Sequence, residues 1–358
     1  MKAFVKKILF RLSKGKIVAS IFAVFLDVFN LRKEEKKIFL EEVKVSYPIC
    51  ERNCDDKTKH KLYRRYLRLW LSYGFDMKDF FIYRLYRHTD EECAMYISNR
   101  HWLTLDVTAN RREYWDIFED KAIFYEYFKT FMKRAVLPVN GMNDKERFIQ
   151  MCSKHKRVIV KPRRAHRGEG IRILSTASLE EVESAWEIVL SEKLVVEEIV
   201  KQDAYMAELH EGSLNTVRVS TAQDHNGNIH IMACSTRMGT GQAFVDNVSN
   251  GIGLFAGVDK DSGILLSPGF DIHSKEYLYH PDTGVAIPGR IVPHWEKLRK
   301  LSVEAAKTVP QMRFLGWDWA LNSLGEWELI EGNNPGAMIT LQTSLNRGLK
   351  REYDTVLL

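Results

Sequence analysis

Two apolar runs, residues 317–321 and 327–330, flank a Leu324-Gly325 turn, and acids interrupt them at fixed places, from Gly-Trp-Asp318-Trp to Glu331-Gly-Asn333. A two-residue hairpin loop fixes which residues face each other. With Leu324-Gly325 as that loop, Asp318 lies opposite Glu331 on one face of the pleat, and Asn333, two residues on, points to the same face. Two carboxylates and an amide oxygen on one face make a hard-oxygen site. Such a site holds magnesium through a few protein ligands and leaves its other positions to water and phosphates. The alternative, an edge hairpin with solvated acids, explains the alternation but not why acids interrupt a run so rich in Trp, Leu and Ile.

The chain is 358 residues long, 45% hydrophobic and 28% charged. That gives room for two or three domains with a sizeable core and argues against a disordered or fibrous protein. The five cysteines are odd in number, scattered and without a Cys-x-x-Cys pair, which points to a reducing compartment. Cys50, Cys54 and His60 have only a weak metal-ligand spacing. The net charge of +6 is uneven: residues 1–37 hold ten Lys/Arg against three acids, and the rest of the chain sums to −1. The basic character belongs to the N-terminus, so a nucleic-acid footprint is not expected. Residues 17–29 are apolar apart from Ser20 and Asp27 and follow six bases with no acid. The run is too short to span a bilayer, and no small-x-small cleavage site follows it. It reads as a helix that either packs on the body or lies at a cytoplasmic membrane surface, which makes the protein cytoplasmic with peripheral membrane contact through residues 1–30 as an alternative.

From about residue 55 to 88, Leu62, Tyr66, Leu69 and Tyr73 recur at helical spacing with Lys59, Lys61, Arg64, Arg65 and Arg68 between them, an amphipathic helix with a basic, solvated face. The region up to about residue 118 is expected to be mainly helical. Strands are then expected at 157–161 and 194–200, a Ser178 to Glu181 capping box between them, and hairpins at 216–222 with 229–236 and 253–259 with 264–266. Residues 295–309 read as a helix. Lys161 ends a strand and opens the basic loop Pro162-Arg163-Arg164-Ala-His166-Arg167-Gly168-Glu-Gly170, which could fold over phosphates. Arg218 stands among β-branched residues, either snorkelling at an edge or holding an anion.

The order of these elements resembles the ATP-grasp superfamily, most closely its sugar-transfer-associated family, over about residues 115–345. The motifs are Glu-Asp-Lys121, Val-Ile-Val-Lys161-Pro, Val-Val-Glu197-Glu198-Ile-Val200, Ser213-Leu-Asn-Thr-Val-Arg218, Val-Asp246-Asn247, His280-Pro-Asp-Thr-Gly284, Gly-Trp-Asp318 and Glu331-Gly-Asn333. The resemblance implies an α+β ATP-grasp fold, two subdomains sandwiching ATP, after a helical N-terminal region. The divisions are 1–118, 119–200 with the hinge, 201–345 as catalytic subdomain, and a tail at 346–358. It implies that Lys121 and Lys161 hold ATP phosphates, although a solvated helix lysine is an equal alternative for Lys121. Glu197, Glu198 and Val200 would form the adenine hinge, Asp203 would meet the ribose, and Arg218 the phosphates. Asp318, Glu331 and Asn333 match the ligands of two magnesium ions, and Arg237 is a candidate for the acceptor carboxylate. The loop after Lys161 departs from the family's glycine-rich pattern: only Gly168 and Gly170 remain among Arg163, Arg164, His166 and Arg167, so guanidinium contacts from Arg163 and Arg167 would either replace a main-chain phosphate cradle or hold an anionic acceptor.

The expected activity is an ATP- and magnesium-dependent carboxylate–amine ligase working through an acylphosphate, in surface-polysaccharide assembly, with glycosyltransferases as candidate partners. One rival is a phosphotransferase to a sugar or lipid hydroxyl, which benefits from a base; His101, Asp106, His166 and His273 are available without a spacing that singles one out. The other is a non-catalytic nucleotide-binding scaffold.

Overall fold

The structure, a computed structural model, describes residues 16–46, 55–165, 168–242 and 253–358. Residues 1–15, Cys50, Cys54, His166, Arg167 and the Asp246-Asn247 pair lie outside them.

Asp55 caps the helix Asp56–Tyr73 through the Thr58 amide, and Gly74 ends it in the left-handed region at φ +80°. Leu62, Tyr66 and Leu69 turn into an aromatic core with Phe39, Phe80 and Phe81. The basic face is not simply solvated, because neighbouring acids and carbonyls cover part of it. Arg65 donates to the carbonyls of Leu85 and His88, Arg68 to Asp90, and Arg64 to Asp27 at 2.6 Å.

Asp27, buried on the helix Lys16–Val28, also meets Lys36 at 2.8 Å and His60 at 3.0 Å. Burial alone would raise its pKa; the hydrogen bonds from Lys36, His60 and Arg64 outweigh it and hold the carboxyl at about 2, below the usual 3.8. A carboxyl lowered in the folded state stabilises the fold above its unfolded pKa, and that stability is lost as the pH falls through the folded value. The stability gap between the parent and Asp27→Asn is therefore expected to be full above about pH 4 and to close toward about pH 2. Urea unfolding across that range reads it, and a gap independent of pH would count against the ion cluster.

Two antiparallel sheets follow. The smaller has the order β1-β4-β2-β3, from β1 (Val136–Pro138), β2 (Arg157–Lys161), β3 (Arg172–Ser175) and β4 (Val195–Glu198). The helices Lys145–Lys154 and Leu179–Glu192 supply Phe148, Trp186 and Val189 to its core with Val158, Val160 and Val196. Ser178 and Glu181 form the expected capping box. β4 stops two residues short of the expected strand end.

The larger sheet has the order β11-β10-β5-β6-β7-β8-β9: β5 (Thr216–Gln223), β6 (Ile229–Met238), β7 (Leu254–Val258), β8 (Gly269–Phe270), β9 (Glu276–Tyr277), β10 (Phe314–Leu321) and β11 (Trp327–Asn333). Residues 264–266 make only single bridges, Leu265 to Val258 and Ile264 to Ile291. β10 is buried along its whole length between β5 and β11.

The hairpin loop is one residue longer than expected. Asn322 closes on Glu326, leaving Ser323-Leu324-Gly325, with Gly325 at φ +72°. A bulge at Ile330 then restores the register, because Trp319 pairs with Leu329 but Asp318 pairs with Glu331. The two departures cancel, so the acids face each other as the sequence suggests.

Residues 346–358 are not a peripheral tail. The helix Lys350–Leu357 buries Tyr353 and Leu357 against Phe314, and the Tyr353 hydroxyl donates to Ser220 Oγ at 2.7 Å. The helix Lys121–Phe128 bridges the two sheets: Phe124 and Phe128 pack on the core of the larger sheet, around Trp317, and Ala122 and Tyr125 pack against Val136 and Val195 of the smaller.

Candidate active site

Side-chain alternation across four neighbouring strands gathers the charged groups. Leu315, Trp317 and Trp319 turn into the main core, so Asp318 faces the other way. Register places Arg218 of β5 on one side of Asp318 and Glu331 of β11 on the other, while Arg237 of β6 pairs with Thr216, on the same face as Arg218. Arg218 clasps Asp318 through Nε at 2.7 Å and Nη2 at 2.5 Å. Arg237 Nη1 donates to Oδ2 at 3.1 Å, and Asn333 Nδ2 at 3.2 Å. Burial would raise the pKa of Asp318, but the charges of Arg218 and Arg237 hold it at about 2. Glu331 is shifted upward, first by its depth in the protein and then by the charge of Asp318, although its carboxylate opens onto a cavity.

The smaller sheet contributes a second group. Lys161 Nζ donates to Glu197 Oε2 at 2.8 Å, and Arg134, just before β1, donates to Glu197 at 2.7 Å and to Glu328 of β11 at 2.9 Å. Glu328, Arg134, Glu197 and Lys161 form a buried chain of alternating charge that ties the two sheets together. Burial again pushes Glu197 upward, and Arg134 and Lys161 bring it down to about 2. Sequence reading missed Arg134 and Glu328, which belong to none of the motifs. The available signals were an arginine before an apolar strand and an acid between Trp327 and Leu329.

Lys121 opens its helix behind the Asp120 cap, and its Nζ donates to the Ala165 carbonyl at 2.7 Å. It is partly buried, and this burial lowers its pKa against the opposing pull of Glu331. Lys121, Lys161, Glu197, Arg218, Arg237, Glu331 and Asn333 all line one cavity of about 1080 Å3. Phe124, Met132, Val136 and Ile330 give it an apolar wall, and Asp79, Asn99 and Trp102 bring the N-terminal region to its edge. Of the motif residues, Ser213 and His280 brace the end of β6, bonding to the amide and carbonyl of Gly239 two residues beyond Arg237.

Other expected contacts are directed elsewhere. Arg163 bonds Asp120 and Asn140, and Arg164 bonds Asp116, so these two arginines staple the loop to neighbouring segments instead of lining the cavity, while Arg167 lies outside the described residues. Gly168 and Gly170 adopt left-handed conformations, and a Cβ at Gly170 would lie 2.7 Å from Pro162 Cγ. The Glu198 carboxylate accepts from the Ala135 amide, and the Asp203 carboxylate caps the helix Ala204–Ala207. Neither they nor Val200 line the cavity.

Comparison with known proteins agrees with this architecture. The family model described as sugar-transfer associated ATP-grasp matches residues 103–356. The chain belongs to the sugar-transfer associated ATP-grasp family. No curated protein matches it. Among similar solved structures is the N5-carboxyaminoimidazole synthetase of Staphylococcus aureus complexed with ADP, at 10% identity and a TM-score of 0.38, covering 65% of this chain and 51% of that one. The biotin carboxylase domain of Hydrogenobacter thermophilus 2-oxoglutarate carboxylase, with magnesium ADP, has 14% identity and a TM-score of 0.39, covering 62% and 41%. D-alanyl-alanine synthetase A of Vibrio cholerae has 14% identity and a TM-score of 0.38, covering 64% and 60%. The chain thus spans roughly half the length of these structures.

In this ATP-grasp site the donor set fits a magnesium ion. Glu331 presents a carboxylate to the cavity, and Asn333 gives its nitrogen to Asp318 and keeps its amide oxygen for a cation, whereas Asp318, expected as the third ligand, is buried with both oxygens held by Arg218, Arg237 and Asn333 and does not line the cavity. Of the bases suggested for a phosphotransferase, His166 lies outside the described residues and the other three do not line the cavity: His101 pairs with Asp354, Asp106 with Asn110 and His273 with Glu42.

Proposed function

We propose that the protein is an ATP- and magnesium-dependent carboxylate–amine ligase acting on a sugar or uronic-acid substrate in surface-polysaccharide biosynthesis. The carrying observation is the convergence of two lysines, two arginines, Glu331 and Asn333 on a single cavity, with Asp318 buried behind Arg218 and Arg237 and holding them there. Bound magnesium would neutralise charge on the ATP phosphates. Lys121 and Lys161 approach from the smaller-sheet side and Arg218 and Arg237 from the larger, so the phosphate chain would lie between four cations.

The acceptor carboxylate attacks the γ-phosphorus, the bond to the β-phosphate oxygen breaks and ADP leaves. The amine then attacks the acyl carbon, inorganic phosphate departs, and the amine nitrogen loses a proton to solvent. A carboxylate nucleophile needs no base to remove a proton, in keeping with a site rich in cations.

A phosphotransferase is the second reading, and one group favours it. Asp79 lines the cavity, and burial followed by the charge of Asp76 raises its carboxyl to about 7, the range of a general base. Its Oδ2 already accepts from the amides of Asp76 and Asn99, which favours a positioning role. Incubation with Mg-ATP and a panel of uronic acids, amino acids and their pairings separates the readings. The ligase yields ADP and equal free phosphate only when both a carboxylate and an amine are present. ADP with the phosphate retained on an acceptor would replace it with the kinase.

A further inference from the structure

The helix Lys16–Val28 packs with its small side chains inward. Ala19, Ala23 and Asp27, spaced by one helical turn, are buried against the helix Asp56–Tyr73 side of the N-terminal region, and Arg64 and His60 of that helix hold the Asp27 carboxylate. Leu26 packs inward beside them, and most of the other large side chains stand out. Ile17 is 77% exposed, Ile21 65%, Val28 60%, Phe29 62% and Leu31 58%, with Phe25 beside Phe29 at a ring separation of 4.6 Å. A contiguous apolar ridge of this kind on a protein surface marks an interaction site.

Charge specifies what it meets. The sixteen residues up to Lys16 contain Lys2, Lys6, Lys7, Arg11, Lys14 and Lys16 and no acid. An apolar ridge on one helix preceded by a run of bases matches an anionic lipid surface, where acyl chains take the ridge and headgroup phosphates take the bases. At 13 residues the helix is about 20 Å long, short of the ~30 Å hydrocarbon thickness. Among the described residues no helix is long and apolar enough to cross a membrane.

We propose that the helix Lys16–Val28 docks in the plane of an anionic membrane surface, its outward apolar face in the headgroup–acyl boundary and the preceding bases on the lipid phosphates. The two signals act together, since one shallow apolar insertion alone binds reversibly and weakly. This docking does not depend on which reaction the cavity performs.

The test is flotation of the full chain with vesicles of phosphatidylcholine alone or with about a third phosphatidylglycerol. Each base held near an anionic surface multiplies affinity about fivefold, so two engaged bases suffice for more than tenfold tighter binding to the anionic vesicles, falling as salt is raised. Ile21→Asp with Phe25→Asp is expected to abolish flotation on both vesicles. The unfolding midpoint should stay unchanged, because both side chains already face solvent. Lys6→Glu with Lys7→Glu should lose only the preference for anionic lipid. Absence of flotation, equal binding to both vesicles, or retained binding by the Ile21/Phe25 variant would each overturn the proposal. So would a concentration-dependent dimer removed by the same Ile21/Phe25 substitutions.

Discussion

Glu331→Gln is expected to lower ATP turnover by a factor of about 10² to 10³ while leaving the thermal midpoint within a few degrees of the parent. The substitution keeps shape and removes the charge that opens onto the cavity, the one carboxylate of the set whose pKa is pushed up rather than down. Its loss would be felt where magnesium and the ATP phosphates meet, so the magnesium concentration needed for half-maximal ADP formation should rise as well. Asp318→Asn is a poorer test of the same idea. Arg218 and Arg237 both rest on the Asp318 carboxylate, and neutralising it leaves two guanidiniums short of their counter-charge inside the protein. Activity lost there would mix a ligand effect with a structural one. Unchanged turnover in Glu331→Gln, with any substrate pair that supports the parent, would remove Glu331 from the metal site and with it the main support for the ligase reading.

Arg134→Met is expected to cost about 3–5 kcal/mol of stability, because it leaves Glu328 and one bond of Glu197 without a partner inside the protein. The loss should register as a fall in thermal midpoint on the order of 10 °C. Adding Glu328→Gln to Arg134→Met should restore part of that stability, since what remains of the chain is the neutral pair Glu197 and Lys161. An ordinary packing defect at Arg134 predicts the opposite, a second substitution that destabilises further. Guanidinium unfolding of the parent and the single and double variants decides between the two. The chain also bears on the site. Glu197 is shared by Arg134 and Lys161, so loss of Arg134 lets Lys161 move relative to the larger sheet.

The sequence by itself determined the local features. Period-two alternation assigns Asp318, Glu331 and Asn333 to one face, and even a loop one residue longer than expected left them together because the Ile330 bulge shifts the register back. The Ser178 capping box and the helix that starts at Asp56 were legible for the same reason, each depending on residues within a few positions of one another, although the helix ends at Gly74 and not near residue 88. Partners distant in the chain were not legible. Arg134 meets Glu328 across 194 positions, Arg163 turns to Asp120 away from the cavity, and the helix Lys350–Leu357 reaches Ser220 from what reads as a tail. The N-terminal helix shows the same division. Its composition announces an apolar helix, but only packing decides that Ala19, Ala23 and Asp27 face inward with Leu26, and most of the large side chains outward, because one salt-bridged acid and two alanines fit the close approach to the neighbouring helix. Local spacing fixes which side chains share a face; which charge or apolar surface that face finds is settled by the competition among all long-range contacts in the folded chain.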